Sequence, residues 1–151
     1  MQVKELGHVV LYVRDLHRSV IFYRDVLGWE ELPRIEGMPA AAFRSASNRT
    51  HHELLLIEVG EDAAELPDAP RVGMYHFGLK VGDSDDELRE AVERLNEAGV
   101  TIAGASDHTV THSLYVLDPD GNEVELYIDV ADVDWVARPD ALLSPIKPLR
   151  L

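Results

Sequence analysis

The chain repeats itself once, and that repeat limits its fold more than any other feature. His8-Val-Val-Leu-Tyr-Val-Arg-Asp15 aligns with His76-Phe-Gly-Leu-Lys-Val-Gly-Asp83; each segment begins at His, runs through apolar residues and ends at Asp. A helical spacing follows each Asp. Leu16, Val20, Tyr23 and Leu27 fall at three- and four-residue steps until Gly28, and Leu88, Val92 and Leu95 do so until Gly99. Asp15 and Asp83 are the predicted N-caps, accepting from the free N–H groups of the first turn.

Both halves then turn to strand. Residues 40–44 and 52–59 are apolar in the first half, and 101–103, 113–117 and 122–130 follow in the second. Asp118-Pro119-Asp120-Gly121 is a hairpin turn signal. The sequence therefore predicts an α+β fold in a single domain, 1–151. It contains a βαβββ module over 3–60, a connector over 61–72, a second βαβββ module over 73–130 and a tail over 131–151. Each helix covers one sheet face, and pairing the modules edge to edge gives a half-open barrel with room for a small ligand. The tail, with Pro139, Pro145 and Pro148, is expected to wrap irregularly over the surface.

Composition removes whole classes of function. A chain 46% hydrophobic and 28% charged is ordinary for a globular protein, not a disordered one. The absence of cysteine excludes disulfides, thiolate metal sites and a cysteine nucleophile. Fourteen basic against twenty-eight acidic residues give a net charge of −14, which opposes binding to nucleic acid. No apolar run reaches the ~18 residues of a membrane span and no signal peptide is evident, so a cytoplasmic protein is expected.

Three side chains are out of place in plain strands. A lone His on an apolar strand is usually just a half-buried side chain, but His8 and His76 occupy one repeat position, which brings both onto one interior surface. Glu125 is the third. Aligning residues 124–130 with 53–59 sets Glu125 opposite Leu54, which suggests an inward carboxylate that is costly unless neutralised. Two imidazoles, a carboxylate and a divalent cation satisfy that need, and such a set leaves one side of the metal open. Leu54 offers no fourth donor. The pair His51-His52, together with His108, His112 and Tyr115, surrounds this set in the sequence. His17 is assigned to the exposed side of the first helix, and the acids from Asp83 to Glu90 to a solvated helix start. Tyr12, Phe22, Tyr23 and Trp29 are expected in the core, and Arg71 and Lys80 on the surface.

These residues resemble the vicinal oxygen chelate superfamily, the glyoxalase, bleomycin-resistance and extradiol-dioxygenase group. The resemblance covers about residues 3–130. It rests on Gly7-His8-Val9, the Phe22-Tyr23-Arg24-Asp25-Val26-Leu27-Gly28 helix end, Tyr75-His76-Phe77-Gly78, and the segment from Asp118 through Glu125 to Leu126. It is closest to single-domain extradiol ring-cleaving dioxygenases. That resemblance implies Fe(II), or Mn(II) or another divalent metal, held by His8, His76 and Glu125, with a catechol-type aromatic diol and O2 as substrates. It implies His52 as acid–base, and His108 and Tyr115 as hydrogen-bonding partners of the bound oxygens. The loop before Tyr115 is shorter than in the family, which leaves His112 as the alternative to His108. The competing implications are a glyoxalase-like isomerase or epimerase, a thiol transferase acting on an antibiotic, and a metal-free drug-binding protein. A homodimer with no nucleic-acid or membrane partner completes the expectation.

Overall fold

A computed structural model describes residues 1–67 and 70–151; two residues of the expected 61–72 connector, Asp68 and Ala69, lie outside the described residues. Alternation sets the first strand, β1 (Val9–Val13), with Leu11 and Val13 buried and Val10 and Tyr12 facing away. Helix α1 (Leu16–Val20) starts where Asp15 accepts the Arg18 N–H at 2.9 Å, and Glu58 accepts the Leu16 N–H at 2.8 Å. The helix widens into a π turn over Ile21–Val26, closed by the Leu27 N–H on the Phe22 carbonyl at 3.0 Å. A wider turn reduces the angle between successive side chains, and the adjacent Phe22 and Tyr23 are both buried, edge to face at 5.1 Å. Gly28, at φ 82°, ends it.

Strands β2 (Glu30–Glu31), β3 (Ala40–Arg44) and β4 (Leu54–Glu58) complete this unit, Met1–Leu66. The sheet order is β1-β4-β3-β2, with β1 and β4 parallel. Leu11, Val13, Ala41, Phe43, Leu54 and Leu56 form its core with α1. Tyr12, expected in that core, is instead 70% exposed, because strand parity puts it on the face opposite the buried Leu11 and Val13.

The second unit, Pro67–Leu151, repeats the plan. Strand β5 (His76–Gly82), helix α2 (Asp85–Glu97), β6 (Ile102–Asp107), β7 (Thr111–Leu117) and β8 (Glu123–Asp129) give the order β5-β8-β7-β6, with β5 and β8 parallel. The N-cap of α2 is Ser84, not Asp83: the Ser84 hydroxyl faces the Glu87 N–H, and Glu87 reaches back to the Asp83 N–H at 2.8 Å. Buried Asp118 builds the β7–β8 turn by accepting from the Asp120 and Asn122 N–H groups at 2.9 and 2.8 Å. The tail is more ordered than expected. It forms a 3₁₀ turn (Pro139–Leu143) and a ninth strand, β9 (Lys147–Pro148), which pairs with β6. The α+β class and the two modules match the sequence expectation.

Backbone pairing corrects the alignment of the two halves. Val9 pairs with Leu54, and Phe77 pairs with Val124. With His8 and His76 equivalent, the counterpart of Glu125 is therefore Leu55, and Leu54 corresponds to Val124. The counterpart is still a leucine without a donor. Among the described residues no helix is long and apolar enough to cross a membrane.

Candidate functional site

In β8, Val124, Leu126 and Ile128 are buried, whereas Glu123, Glu125, Tyr127 and Asp129 share the opposite, half-buried face. Neighbouring strands bring partners to Glu125. His76 of β5 places Nε2 3.2 Å from Glu125 Oε2. Tyr115, directly across from Glu125 on β7, donates its hydroxyl to Oε1 at 3.3 Å. His108 Nε2 lies 2.7 Å from the same hydroxyl and 4.0 Å from Glu125 Oε1. Burial, reinforced by the Glu125 charge, pushes the Tyr115 phenol up to about 12, so at neutral pH it remains an O–H donor. Gly78 pairs with Glu125 in register. A Cβ there would stand 3.2 Å from the Tyr127 ring and 3.5 Å from Glu125 Oε2, so glycine keeps this face open.

Behind His76 stands Glu123. Its Oε1 and His76 Nδ1 are both buried without a hydrogen-bond partner, and they face each other at 3.3 Å. Among the described residues no other group bonds either atom, so each is the other's natural partner. The Glu123 charge also raises the phenol of the neighbouring Tyr75 above its ordinary value. His76 thus has a carboxylate on each ring nitrogen, Glu125 in front and Glu123 behind.

The first unit carries its own histidine cluster. His8 lies just before β1, and His51 and His52 lie just before β4. Ring centroids of His8 and His52 are 4.7 Å apart, and those of His8 and His51 6.2 Å. His51 Nδ1 and His52 Nδ1 approach to 2.5 Å. Burial, then the charges of His51 and His8, moves the His52 imidazole below its ordinary value, which favours the neutral ring.

The structure therefore gathers His76, Glu125, Tyr115 and His108 in one unit, and His8 with His52 in the other. His112 is not part of this group. It bonds Asp85 at the start of α2, at 2.5 Å, and lies 3.8 Å from Asp107. Its position, three residues before Tyr115, puts it on the other face of β7. Glu123 and Tyr75 were not singled out from the sequence, although Glu123 is two residues from Glu125 and so on the same strand face. Among the described residues no three His, Asp or Glu side chains already form a metal cage. The His76–Glu125 pair nevertheless has suitable spacing: two donors ~2.0–2.2 Å from one ion at right angles lie about 3 Å apart.

Comparison with known proteins fits this arrangement. Residues 5–126 match the family model described as the Glyoxalase/Bleomycin resistance protein/Dioxygenase superfamily. A catechol-2,3-dioxygenase of Bacillus subtilis (strain 168) is 36% identical over 130 residues, 86% of this chain and 43% of the relative. The chain spans less than half the length of this relative and of two further dioxygenases that it matches, from Rhodococcus jostii and Paraburkholderia xenovorans. A lactoylglutathione lyase of Neisseria meningitidis is 30% identical and is covered over 96% of its length, with 87% of this chain. The solved glyoxylase/bleomycin resistance protein/dioxygenase domain from Frankia sp. EAN1pec superposes with a TM-score of 0.69 at 26% identity, over 85% of this chain and 99% of that one. The repeated βαβββ plan, the histidine and carboxylate positions and these matches together establish that the chain belongs to the glyoxalase/bleomycin resistance protein/dioxygenase superfamily.

Proposed function

We propose that this protein is an extradiol ring-cleaving dioxygenase acting on catechol-type diols with O2, using Fe(II) held by His8, His76 and Glu125. The observation that supports it most is the Glu125 carboxylate shared between the His76 imidazole and the Tyr115 hydroxyl, with His108 on that hydroxyl. An imidazole–carboxylate pair at this spacing suits a divalent ion, and the Tyr–His couple beside it supplies donors for anionic oxygen. Fe(II) held by these residues would supply a binding site for diol and O2 and the electron transfer between them.

The chain's own residues have distinct tasks. Glu123 Oε1, 3.3 Å from His76 Nδ1, is placed to take up an Nδ1–H, which would fix the tautomer and aim Nε2 forward. His52, beside His8 and held towards its neutral form by burial, takes the proton released when a diol hydroxyl ionises and returns it when the ring opens. Tyr115 stays protonated and orients Glu125 and substrate oxygen through its O–H, while His108 fixes the direction of that hydroxyl.

A glyoxalase-like isomerase is the second reading, favoured by the near full-length match to the lyase. Loading the protein with Fe(II) without air, then following O2 uptake and the yellow ring-opened product over a panel of catechols, separates the two. The dioxygenase consumes one O2 per diol and leaves hemithioacetals untouched. No uptake with any diol, together with hemithioacetal turnover, overturns the proposal.

A further inference from the structure

Among the described residues, two that are not glycine hold a positive φ, Asn48 at 51° and Thr109 at 72°. Asparagine tolerates that region through its short polar side chain, whereas a β-branched residue there is strained. Thr109 follows His108 in the β6–β7 turn. The His108 N–H donates to the Thr111 carbonyl at 2.9 Å, which leaves Thr109 and Val110 as the loop between them. Tight hairpins normally give a first loop residue with positive φ to glycine. Strain of this kind persists only where the surroundings over-determine it, and it collects at functional sites.

The surroundings here are specific. Asp107 Oδ1 accepts the Thr109 N–H at 2.7 Å, and buried Val110 accepts the Val130 N–H at 2.9 Å. Asp107 is itself braced, pairing with His112 on β7 and with Lys147 on β9. Its Oδ1 lies 3.8 Å from His112 Nε2, and the other nitrogen of that ring is held by Asp85 of α2. Its Oδ2 lies 3.9 Å from Lys147 Nζ. Strand parity divides the two neighbours. Asp107 and His112 share the face of the buried Leu114 and Val116, while His108, opposite Thr111, falls on the face of Tyr115.

We infer that Asp107 is a positioning residue for His108: its carboxylate, on the Thr109 N–H, holds the strained turn that directs His108 Nε2 to within 2.7 Å of the Tyr115 hydroxyl. The argument runs through the backbone. Without the carboxylate the Thr109 N–H loses its acceptor, and relaxing Thr109 to a negative φ relieves its side chain. That change reverses the direction of the chain immediately after His108. The 108–111 pairing that sets the face of His108 is then lost, and the imidazole leaves Tyr115. Asp107 touches neither Tyr115 nor Glu125 and acts only through the turn. It also links the turn to α2, through His112, and to the C-terminal strand, through Lys147. The consequence for turnover rests on the dioxygenase reading; the positioning of His108 does not.

The test reads position apart from turnover. In the metal-free protein, nuclear Overhauser contacts should join the rings of His108 and Tyr115, whose centroids lie 6.4 Å apart. Asp107→Ala should lose them with circular dichroism unchanged. Asp107→Asn, which keeps an oxygen acceptor for the Thr109 N–H, should retain them. Adding Thr109→Gly to Asp107→Ala should restore them, because glycine holds a positive φ without strain and needs no clamp. Their absence in the parent, persistence in Asp107→Ala, loss in Asp107→Asn or failure to recover with glycine overturns the proposal. Where Asp107→Ala does not fold, Asp107→Asn and the double variant decide by the same criteria. On the dioxygenase reading, kcat with catechol should fall by up to about 100-fold in Asp107→Ala and recover with the ring contacts in the other two variants. Loss and recovery of the contacts without turnover of any diol by the parent keeps the positioning role and rejects the dioxygenase. Diol turnover with contacts indifferent to Asp107→Ala does the reverse.

Discussion

At the scale of single residues, Glu123 carries the clearest consequence. A buried imidazole nitrogen and a buried carboxylate oxygen 3.3 Å apart bond each other or remain a cost to the fold. Glu123→Gln should keep the fold yet weaken divalent-metal affinity about 10–100-fold, measured with Zn(II) by calorimetry. In the metal-free protein the ¹⁵N shifts of His76 should move away from a single Nδ1–H tautomer. Unchanged shifts and affinity would remove the orienting role. His52→Ala should behave oppositely, with metal binding intact and turnover slowed by ~10²–10⁴-fold, as expected for loss of a general acid–base. Much of this site was legible from residue type: the repeated His and the strand Glu are chemically conspicuous. The sequence left the choice between His108 and His112 open; the strand separates them, because the three-residue step from His112 to Tyr115 crosses β7 and His112 turns to Asp85 while His108 meets the Tyr115 hydroxyl. The role of Glu123 was not legible, because it depends on β5 lying directly beside β8, with His76 paired to Glu123.

At the scale of elements, periodicity carried the prediction wherever polar and apolar residues alternate. Strand β8 alternates and its faces were readable. Strand β4, with Leu54, Leu55, Leu56 and Ile57 in a row, does not, and its alignment slipped by one residue until the β1–β4 pairing was seen. The cap of α2 was misplaced because adjacent Asp83 and Ser84 both suit an N-cap and only backbone geometry chooses. Ser84→Ala should therefore destabilise the chain by about 1 kcal/mol in thermal melts, and Asp83→Ala by less. Just before β4, burial pushes the Glu53 carboxyl up, but the Ser45 N–H and hydroxyl, with Ser47 and Arg49, outweigh it and hold the group below its ordinary value. Glu53 thus binds its proton less readily folded than unfolded. Its stabilisation is full above the ordinary glutamate range and is lost as pH falls through the depressed folded value. Glu53→Gln should lower stability in urea melts at neutral pH and flatten the acid-side decline between about pH 5 and 3. An unchanged slope would show that the clamp is not coupled to folding.

At the scale of the whole molecule, charge and sheet edges pull in opposite directions. Among the described residues the first strand of each unit, β1 and β5, stands at one edge of its own sheet. Apolar side chains stand exposed on or beside these strands, Val10 and Tyr12 on β1 and Tyr75 just before β5. Burying them favours association, and a second copy of the chain is the expected cover for at least one edge. Each copy carries a net charge of −14, so bringing two together costs repulsion that salt screens over a Debye length of about 10 Å at 0.1 M. A homodimer whose population rises with ionic strength is the expected outcome, and light scattering across a salt series measures it. Tyr12→Glu adds charge to an exposed apolar position and should shift the balance to monomer without loss of secondary structure, since Tyr12 contributes nothing to the buried core. A monomer at high protein concentration and at every salt rejects the dimer, and a dimer indifferent to Tyr12→Glu places its interface away from β1.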